Sequence, residues 1–407
     1  MPILRYGQFT MPTSNPRRPR PADRKRQLVG HAATLFADRG YTRVSLADIA
    51  RAAGVTAPSV YRHFDDKLAL LDAAVLASVD DLEACTDRAL AHNLGTLDDL
   101  IVTVCALAVR RPASTSLWRS ASQHLTDSQN REVALRVRNL VHRWAEALAQ
   151  DSELTEREAV QIAWAVLSVA GSLAVHNTRL PVLRAQSELR RLVRRLVALR
   201  PAAAPPLPTA APATTGEVTR RDQILDAAAT LFAENGYSGV GVDDIGRAVG
   251  ITGPSVYKHF SSKLAILLGI GQRSATRLEA GVMSAYGGAG TLSGPPSADP
   301  AKILGLLVDS YVEVITASPD LSVAFNNAYA LAGQPSAVDL VDVQRRYVAR
   351  WMDLLRQVDP GLSREQAAVS VHSALSVVND AVRVGRGTSR PEFPAIMAYL
   401  MKGILGL

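Results

Sequence analysis

Apolar residues recur at helical spacing along the chain, and the pattern appears twice. Leu28, Ala32, Leu35 and Phe36 stand at i, i+4, i+7 and i+8, one face of a helix. Gly40 is its natural stop, and Tyr41 and Val44 follow as apolar anchors. Ser45, with Asp48 three positions on, has the capping-box pattern that starts a second, short helix. That helix turns Ile49 and Ala53 inward and ends at Gly54. Thr56 caps a third helix, about Thr56–His63, with Pro58 in the first turn, where its missing N–H is not needed. Phe64 closes it, and a fourth helix begins after Asp66 with Leu68, Leu70 and Leu71 as its apolar residues. Further on, residues 97–110, 131–150 and 154–176, and then 301–317, 340–357 and 362–383, read as long helices. The expected fold class is all-α.

Residues 24–71 align without a gap on residues 220–267, at a constant offset of 196 and with 27 identities in 48 positions. The chain is a tandem duplication. Between the copies lies PAAAPPLPTAAPATTG, uncharged and dense in Pro and Ala, which predicts an extended linker with a reach on the order of 50 Å. The expected organisation is a basic arm over 1–23, a first helix-turn-helix domain over 24–71 and a first helical regulatory domain over 72–200. A linker over 201–218, a second helix-turn-helix domain over 219–267 and a second regulatory domain over 268–407 complete it. The rear helices repeat too: LTEREAVQIAWAVLSVAGSLAVHN matches LSREQAAVSVHSALSVVNDAVRVG, with Leu167-Ser168-Val169 on Leu375-Ser376-Val377.

Composition sharpens this picture. Hydrophobic residues make up 47% of the 407, enough for a packed core. The net charge of +7 lies entirely in the first half: residues 1–200 hold 28 basic and 20 acidic residues, residues 201–407 hold 17 and 18. Such a balance suits a polyanionic partner. Within the aligned 48 residues the first copy carries 8 basic and 4 acidic residues and the second 5 and 5, so the first is expected to bind phosphate more strongly. The second copy has Gly241 where the first has Ser45, which predicts a lost helix cap.

Cys85 and Cys105 form no CxxC pair and no metal set, and read as buried, reduced thiols. Residues 1–26 are rich in arginine with no apolar segment behind them, unlike a secretory leader. The uncharged stretch from Ala159 to Thr178 reads as a buried helix rather than a membrane span, since its compact apolar part is shorter than a span and it is one version of a repeated soluble helix. Its small residues Ala163, Ala165, Ala170 and Gly171 suit close helix approach. No nucleophile elbow, metal spacing or P-loop is present; GYSGVG at 236–241 overlays GYTRVS of the first copy and has no strand before it, so it is not a dinucleotide turn.

Two short helices joined by a Gly-containing turn and resting on a longer one form a helix-turn-helix, whose second helix enters the major groove. The motif residues Gly40-Tyr41, Asp48-Ile49-Ala50, Ala53-Gly54-Val55, Tyr61-Arg62-His63-Phe64 and Lys67 resemble the TetR family of bacterial transcriptional regulators. So do Gly236-Tyr237, Asp244-Ile245, Gly250-Ile251, Tyr257-Lys258-His259-Phe260 and Lys263. The resemblance covers about 50 residues in each half. It implies an all-helical, non-enzymatic, cytoplasmic regulator, homodimeric in ordinary members, with a ligand domain behind each motif.

The candidate DNA contacts in the first copy are Arg24, Lys25, Arg26, Thr42, Arg43 and Ser45, then Thr56, Ala57, Pro58, Ser59, Tyr61, Arg62, His63 and Lys67. In the second they are Thr252, Gly253, Pro254 and Ser255, with Tyr257, Lys258, His259 and Lys263. Hydroxyls and small residues at the start of the third helix suit base edges, and the aromatic and basic groups suit phosphate. Tyr61 and Tyr257 are open to a second reading, as packing residues of the motif core. Lys67 and Lys263 stand at a helix start, where the dipole disfavours a cation and a phosphate partner would justify one. The arm NPRRPRPADRKR is a further cationic element for the minor groove or backbone.

For a ligand pocket the candidates are Trp118, His124, Trp144 and Tyr311, with Phe325, Tyr329, Tyr347 and Trp351. Their surroundings favour a small lipophilic effector; no cluster points to a charged ligand, a metal or a cofactor. The leading expectation is a repressor that binds a double-stranded operator and is released by such an effector. The alternatives are an activator, or an architectural module whose second motif is vestigial. Both an intramolecular pseudo-dimer and a homodimer of whole chains remain open, and no membrane partner is expected.

Overall fold

The computed structural model describes residues 21–90, 96–150, 152–174, 180–208, 218–288, 299–331 and 335–407, and every regular element in them is a helix. The arm over 1–20 and linker residues 209–217 lie outside the described residues. The first half comprises α1 (Pro21–Arg39), α2 (Leu46–Ala52), α3 (Ala57–Tyr61), α4 (Lys67–Leu90) and α5 (Leu97–Arg110). It continues with α6 (Pro112–Ala121), α7 (Asp127–Gln150), α8 (Glu156–Ser172) and α9 (Val182–Val197). The second half comprises α10 (Arg220–Gly239), α11 (Val242–Ala248), α12 (Gly253–Val256), α13 (Lys263–Gly288) and α14 (Pro300–Ala317). It ends with α15 (Asp320–Asn326), α16 (Ala328–Leu331), α17 (Pro335–Val358), α18 (Arg364–Arg383) and α19 (Phe393–Leu405).

Caps fix the rear helices where the sequence placed them. Thr155 with Glu158 closes a capping box at the start of α8, and Ser363 with Gln366 does so for α18. Pro112 opens α6 and breaks it from α5, with which it makes a bend of 76°. Taken singly, no helix among the described residues is long and apolar enough to cross a membrane. The α8 stretch is a 17-residue helix, mostly buried. Helices α6, α9 and α19 are additions to the periodic reading. The apolar stripe of α9 (Leu189, Leu192, Val193, Leu196) is diluted by arginines on its other face.

Helices α8 and α9 of the first half pack against α18 and α19 of the second. The central pair, α8 and α18, runs antiparallel. Ser172 Oγ meets Ser373 Oγ at 3.0 Å, Arg119 joins the Leu167 carbonyl to Asp380, and Arg157 pairs with Glu392 at the far end. One apolar core runs from the first motif through both helical bodies. The second motif has a separate core around Phe232, Ile245, Val256 and Phe260, touching the body through Val323 and Leu331. Contrary to the expectation of a free spacer, the start of the linker is docked: Pro201 is buried, Leu207 packs on the core, and the Ala202 N–H donates to Glu158 Oε1 at 3.0 Å.

The seam contains one fully buried ion pair. Arg119 and Asp380 side chains are 5% and 8% exposed. Arg119 Nη2 also donates to the carbonyls of Thr115 (2.6 Å) and Leu167 (2.9 Å), so the guanidinium threads between α6, α8 and α18. Gly171 makes this passage: a Cβ there would overlap the guanidinium and stand 2.8 Å from the Thr115 carbonyl. Removing one partner of a buried pair strands the other charge, so Asp380→Asn is expected to lower unfolding free energy by about 3–5 kcal/mol, whereas Arg119→Met with Asp380→Leu should be close to neutral. Equilibrium denaturant unfolding of the three proteins checks both values.

Candidate nucleic-acid interface

In the first copy, Gly40 takes φ 78 and ends α1, and the Ser45–Asp48 capping box starts α2 with Asp48 N–H to Ser45 Oγ at 3.1 Å. The Ser45 hydroxyl (2.6 Å) and N–H (3.0 Å) donate in return to Asp48 Oδ2 and, with Arg51 beside it, hold the Asp48 carboxyl down at about 2. Gly54 takes φ 66 and turns the chain into α3. The second copy repeats the frame with Gly236 at φ 72 and Gly250 at φ 71. Its lost cap is half kept: Gly241 has no side chain to accept, yet its N–H still donates to Asp244 Oδ2 at 2.8 Å.

The third helices are shorter than expected, Ala57–Tyr61 and Gly253–Val256. Thr56 and Thr252 occupy the N-cap positions without a side-chain cap bond, correcting the expected role of Thr56; Thr252 Oγ1 instead meets Ser255 Oγ at 3.0 Å. Their outward faces are open. Thr56, Pro58 and Arg62, and Thr252, Pro254, Lys258 and His259, are exposed; Ala57, Ser59, His63 and Ser255 are half-buried, and Gly253 is buried. Thr42, Arg43 and Ser45 are exposed on the same motif. Tyr61 and Tyr257 are 58% and 54% exposed, which rules out core packing as their role.

The lysines differ from expectation. Lys67 Nζ lies 4.1 Å over the Tyr41 ring. Lys263 Nζ lies 4.5 Å over Tyr237 and donates to the Val240 carbonyl at 2.6 Å. Burial lowers the pKa of both. These intramolecular bonds justify a cation at a helix start without a phosphate. The His124 ring lies 4.6 Å from that of Tyr41, tilted to it, so the turn after α6 touches the first motif through this ring. Its imidazole is held below the ordinary histidine range by burial and then by Lys67.

Electrostatics separate the copies further. At the start of α1, Lys25 and Arg26 are exposed, and Arg24 donates to Gln27 Oε1 (2.9 Å). In the second copy, Arg220 and Arg221 are also exposed but donate to the carbonyls of Val249 (3.1 Å) and His259 (2.8 Å); Arg221 lies over Phe260, as Lys25 lies over Phe64. Asp243 replaces Ala47 and abuts the start of α12, where a Cβ on Gly253 would overlap its carboxylate. This carboxylate beside the third helix was not read from sequence. Only the Ala57/Gly253 difference hinted at it.

Of the ligand-pocket candidates, the structure brings Tyr311, Tyr347 and Trp351 together and sets the others apart. Trp118 lies on the seam, and His124 lies against the first motif. Trp144 is buried with its indole N–H on Thr86 Oγ1 (2.9 Å). Tyr311, Tyr347 and Trp351 form a closed aromatic cluster, with the Tyr311 hydroxyl donating to Asn379 at 2.8 Å. Phe325 is half-buried, and the Tyr329 side chain lies outside the described residues. Trp144 alone of these lines the apolar crevice between α5, α7, α8 and α9, whose free volume is about 10 Å³, about one water. Both cysteines are free and buried, and burial lifts Cys85 to about 11 and Cys105 to about 12.

The family model for the DNA-binding region of "Bacterial regulatory proteins, tetR family" matches residues 28–74 and 224–270, the same offset of 196 as the internal repeat. The chain is 29% identical over 173 residues to the HTH-type transcriptional activator FasR of Mycolicibacterium smegmatis, covering 42% of this chain and 74% of that protein. It is 31% identical over 121 residues to the HTH-type transcriptional repressor KstR2 of Rhodococcus jostii, covering 27% of this chain and 59% of that one. Among solved structures, a TetR-family transcriptional regulator from Bordetella parapertussis aligns at 22% identity and a TM-score of 0.39, over 45% of this chain and 93% of that chain.

Two outcomes follow from this geometry. Tyr61→Ala should leave stability within about 0.5 kcal/mol, as for an exposed site, yet weaken DNA binding about tenfold through a lost charge-assisted hydrogen bond. Ala47→Asp should weaken binding and Asp243→Ala should strengthen it. Denaturation curves with fluorescence-anisotropy titrations on duplex DNA check all three.

Proposed function

Because the chain belongs to the TetR family and carries its DNA-binding region twice, we propose that its two halves act as a built-in dimer reading one duplex site. The observation that carries this is the antiparallel seam of α8 on α18, which ties two helix-turn-helix motifs into one body. The proposed units are residues 24–200 and 219–407, with the recognition ends of α3 and α12 in successive major grooves, about 34–36 Å apart. Thr56, Ala57, Pro58 and Ser59, and their counterparts Thr252, Gly253, Pro254 and Ser255, face base edges. Tyr61, Arg62, His63, Tyr257, Lys258 and His259 reach phosphates, with Lys25, Arg26, Thr42 and Arg43 adding to the first motif. Since the motifs differ, the site need not be a palindrome.

The regulatory reading is repression in the cytoplasm, relieved when a small lipophilic effector moves the motifs out of register. KstR2 is named as a repressor and supports it; FasR is named as an activator and supports the second reading, activation from the same kind of site. A reporter driven from the bound site separates them: deleting the protein raises output under repression and lowers it under activation.

The seam also bears on assembly. In the register that puts Leu167 on Leu375, Asp380 falls on Ser172. A pair of first halves would therefore bury Arg119 against a serine. Light scattering of the free protein should give one chain, 43.5 kDa, and of the complex one chain per protected site. A stable double mass with first halves paired would overturn the built-in dimer. Binding to the site should exceed bulk competitor DNA and fall steeply with salt; a shift assay at two ionic strengths that finds neither would overturn the DNA-reading role.

A further inference from the structure

Along the seam, cations outnumber carboxylates. Asp380 is shared between Arg119 and Arg383, but Arg383 Nη1 stands 3.7 Å from it, beyond hydrogen-bond reach, and its Nε donates to Asn326 Oδ1 at 3.2 Å instead. Arg386 has no carboxylate partner among the described residues; its guanidinium carbon lies 3.5 Å over the Trp164 ring. The Trp164 ring is 6.3 Å from that of Trp118, over which the Arg119 guanidinium sits at 5.1 Å. The result is a row of guanidinium, indole, indole and guanidinium contributed by α6, α8 and the turn after α18.

Three N–H groups of this row are buried and unpartnered among the described residues: Trp118 Nε1, Arg119 Nε and Arg386 Nε. Trp118 and Arg119 are more than nine-tenths buried as whole residues. Buried donors are nearly always satisfied in folded proteins, and arginine cannot shed its proton to escape the problem. Trp164 and Arg386 are only half-buried and Arg383 is a third exposed, so that end of the row is reachable from solvent, while the three unpartnered N–H groups themselves are covered. Burial, followed by the charges of Arg383 and Arg386, lowers Arg119, and burial brings Arg386 down to about 9. An added negative charge would relieve this cluster.

We propose that the seam between the halves binds a small molecule through an anionic group, a carboxylate or a phosphate, held by Arg383, Arg386 and the Trp118 indole N–H, with its apolar part against Trp118 and Trp164. This rests on the regulatory reading above and amends it: the effector is an anionic amphiphile rather than a neutral lipophile, and it sits where the two halves meet. Trp118 and Arg119 lie on α6, which ends at Ala121 three residues before His124, so the row is connected in space to the Tyr41 contact of the first motif.

The test uses the full chain without DNA, with decanoate and pyrophosphate as carboxylate and phosphate probes and decanol as the neutral control. Two of the four tryptophans belong to the row, so intrinsic fluorescence reports occupancy. Saturable quenching by decanoate or pyrophosphate but not by decanol is expected, and whichever anion acts identifies the headgroup. Arg386→Gln, at a half-exposed position, should weaken that binding at least tenfold while the circular dichroism and melting curve stay unchanged. Absence of saturable quenching by both anions, equal quenching by decanol, or unaltered binding by Arg386→Gln would each overturn the site. A parallel titration of the DNA complex separates the two ideas: anion binding that leaves DNA affinity intact keeps the site and removes its regulatory role.

Discussion

The buried contact between Arg119 and Asp380 spans 261 residues of sequence and joins the two copies. A lone buried charge is strongly destabilising, whereas a buried pair is tolerated when further hydrogen bonds help to satisfy it, as Arg119 Nη2 makes to the Thr115 and Leu167 carbonyls while its Nε stays without a partner among the described residues. The pair therefore acts less as a source of stability than as a key. It is satisfied when a first half meets a second half, and Ser172 in the place of Asp380 would leave it unsatisfied in any symmetric pairing of first halves. Gly171 belongs to the same device, because only a residue without a Cβ lets the guanidinium cross α8; Asn379, at the equivalent position of α18, instead accepts from Tyr311.

From this key the structure reaches the DNA-binding end by a short route. Helix α6 carries Arg119 in its last turns, and the residues after it place His124 against Tyr41, over whose ring Lys67 also lies. Tyr41 follows the Gly40 stop and precedes the α2 cap, so movement of α6 would bear on the entry to the helix-turn-helix. In the second motif Lys263 is tied to Val240 within its own domain, and the motif core, which takes in Val323 and Leu331, is separate from the main one. The two copies are thus unequal both in charge and in how they are attached.

The motif frame was legible in the sequence because each of its determinants is local. Stops at Gly40, Gly54, Gly236 and Gly250, the Ser45–Asp48 box and the apolar face of Leu28, Ala32 and Phe36 lie within a few residues of the structure they produce, and all appear where expected. The repeat then showed that the frame occurs twice, and the matched rear segments located α8 and α18. Readings that needed a partner from elsewhere fared less well. Lys67, read as a phosphate contact, has an intramolecular partner in Tyr41 that the sequence did not announce; of the aromatic candidates, Tyr311, Tyr347 and Trp351 meet in one buried cluster and the others lie apart.

By itself, then, the sequence determined the all-helical class, the duplication, the helix-turn-helix in each copy and the excess of positive charge on the first. All of these follow from spacing, capping and composition along the chain. Only the tertiary structure decided that α8 meets α18 antiparallel, that Arg119 is answered by Asp380, that Tyr61 and Tyr257 face outward, that Asp243 crowds the second recognition helix, and that three indole and guanidinium N–H groups are left without partners on the seam. Burial and pairing depend on which surfaces meet, and a surface is assembled from residues whose distance along the chain says nothing of their distance in space.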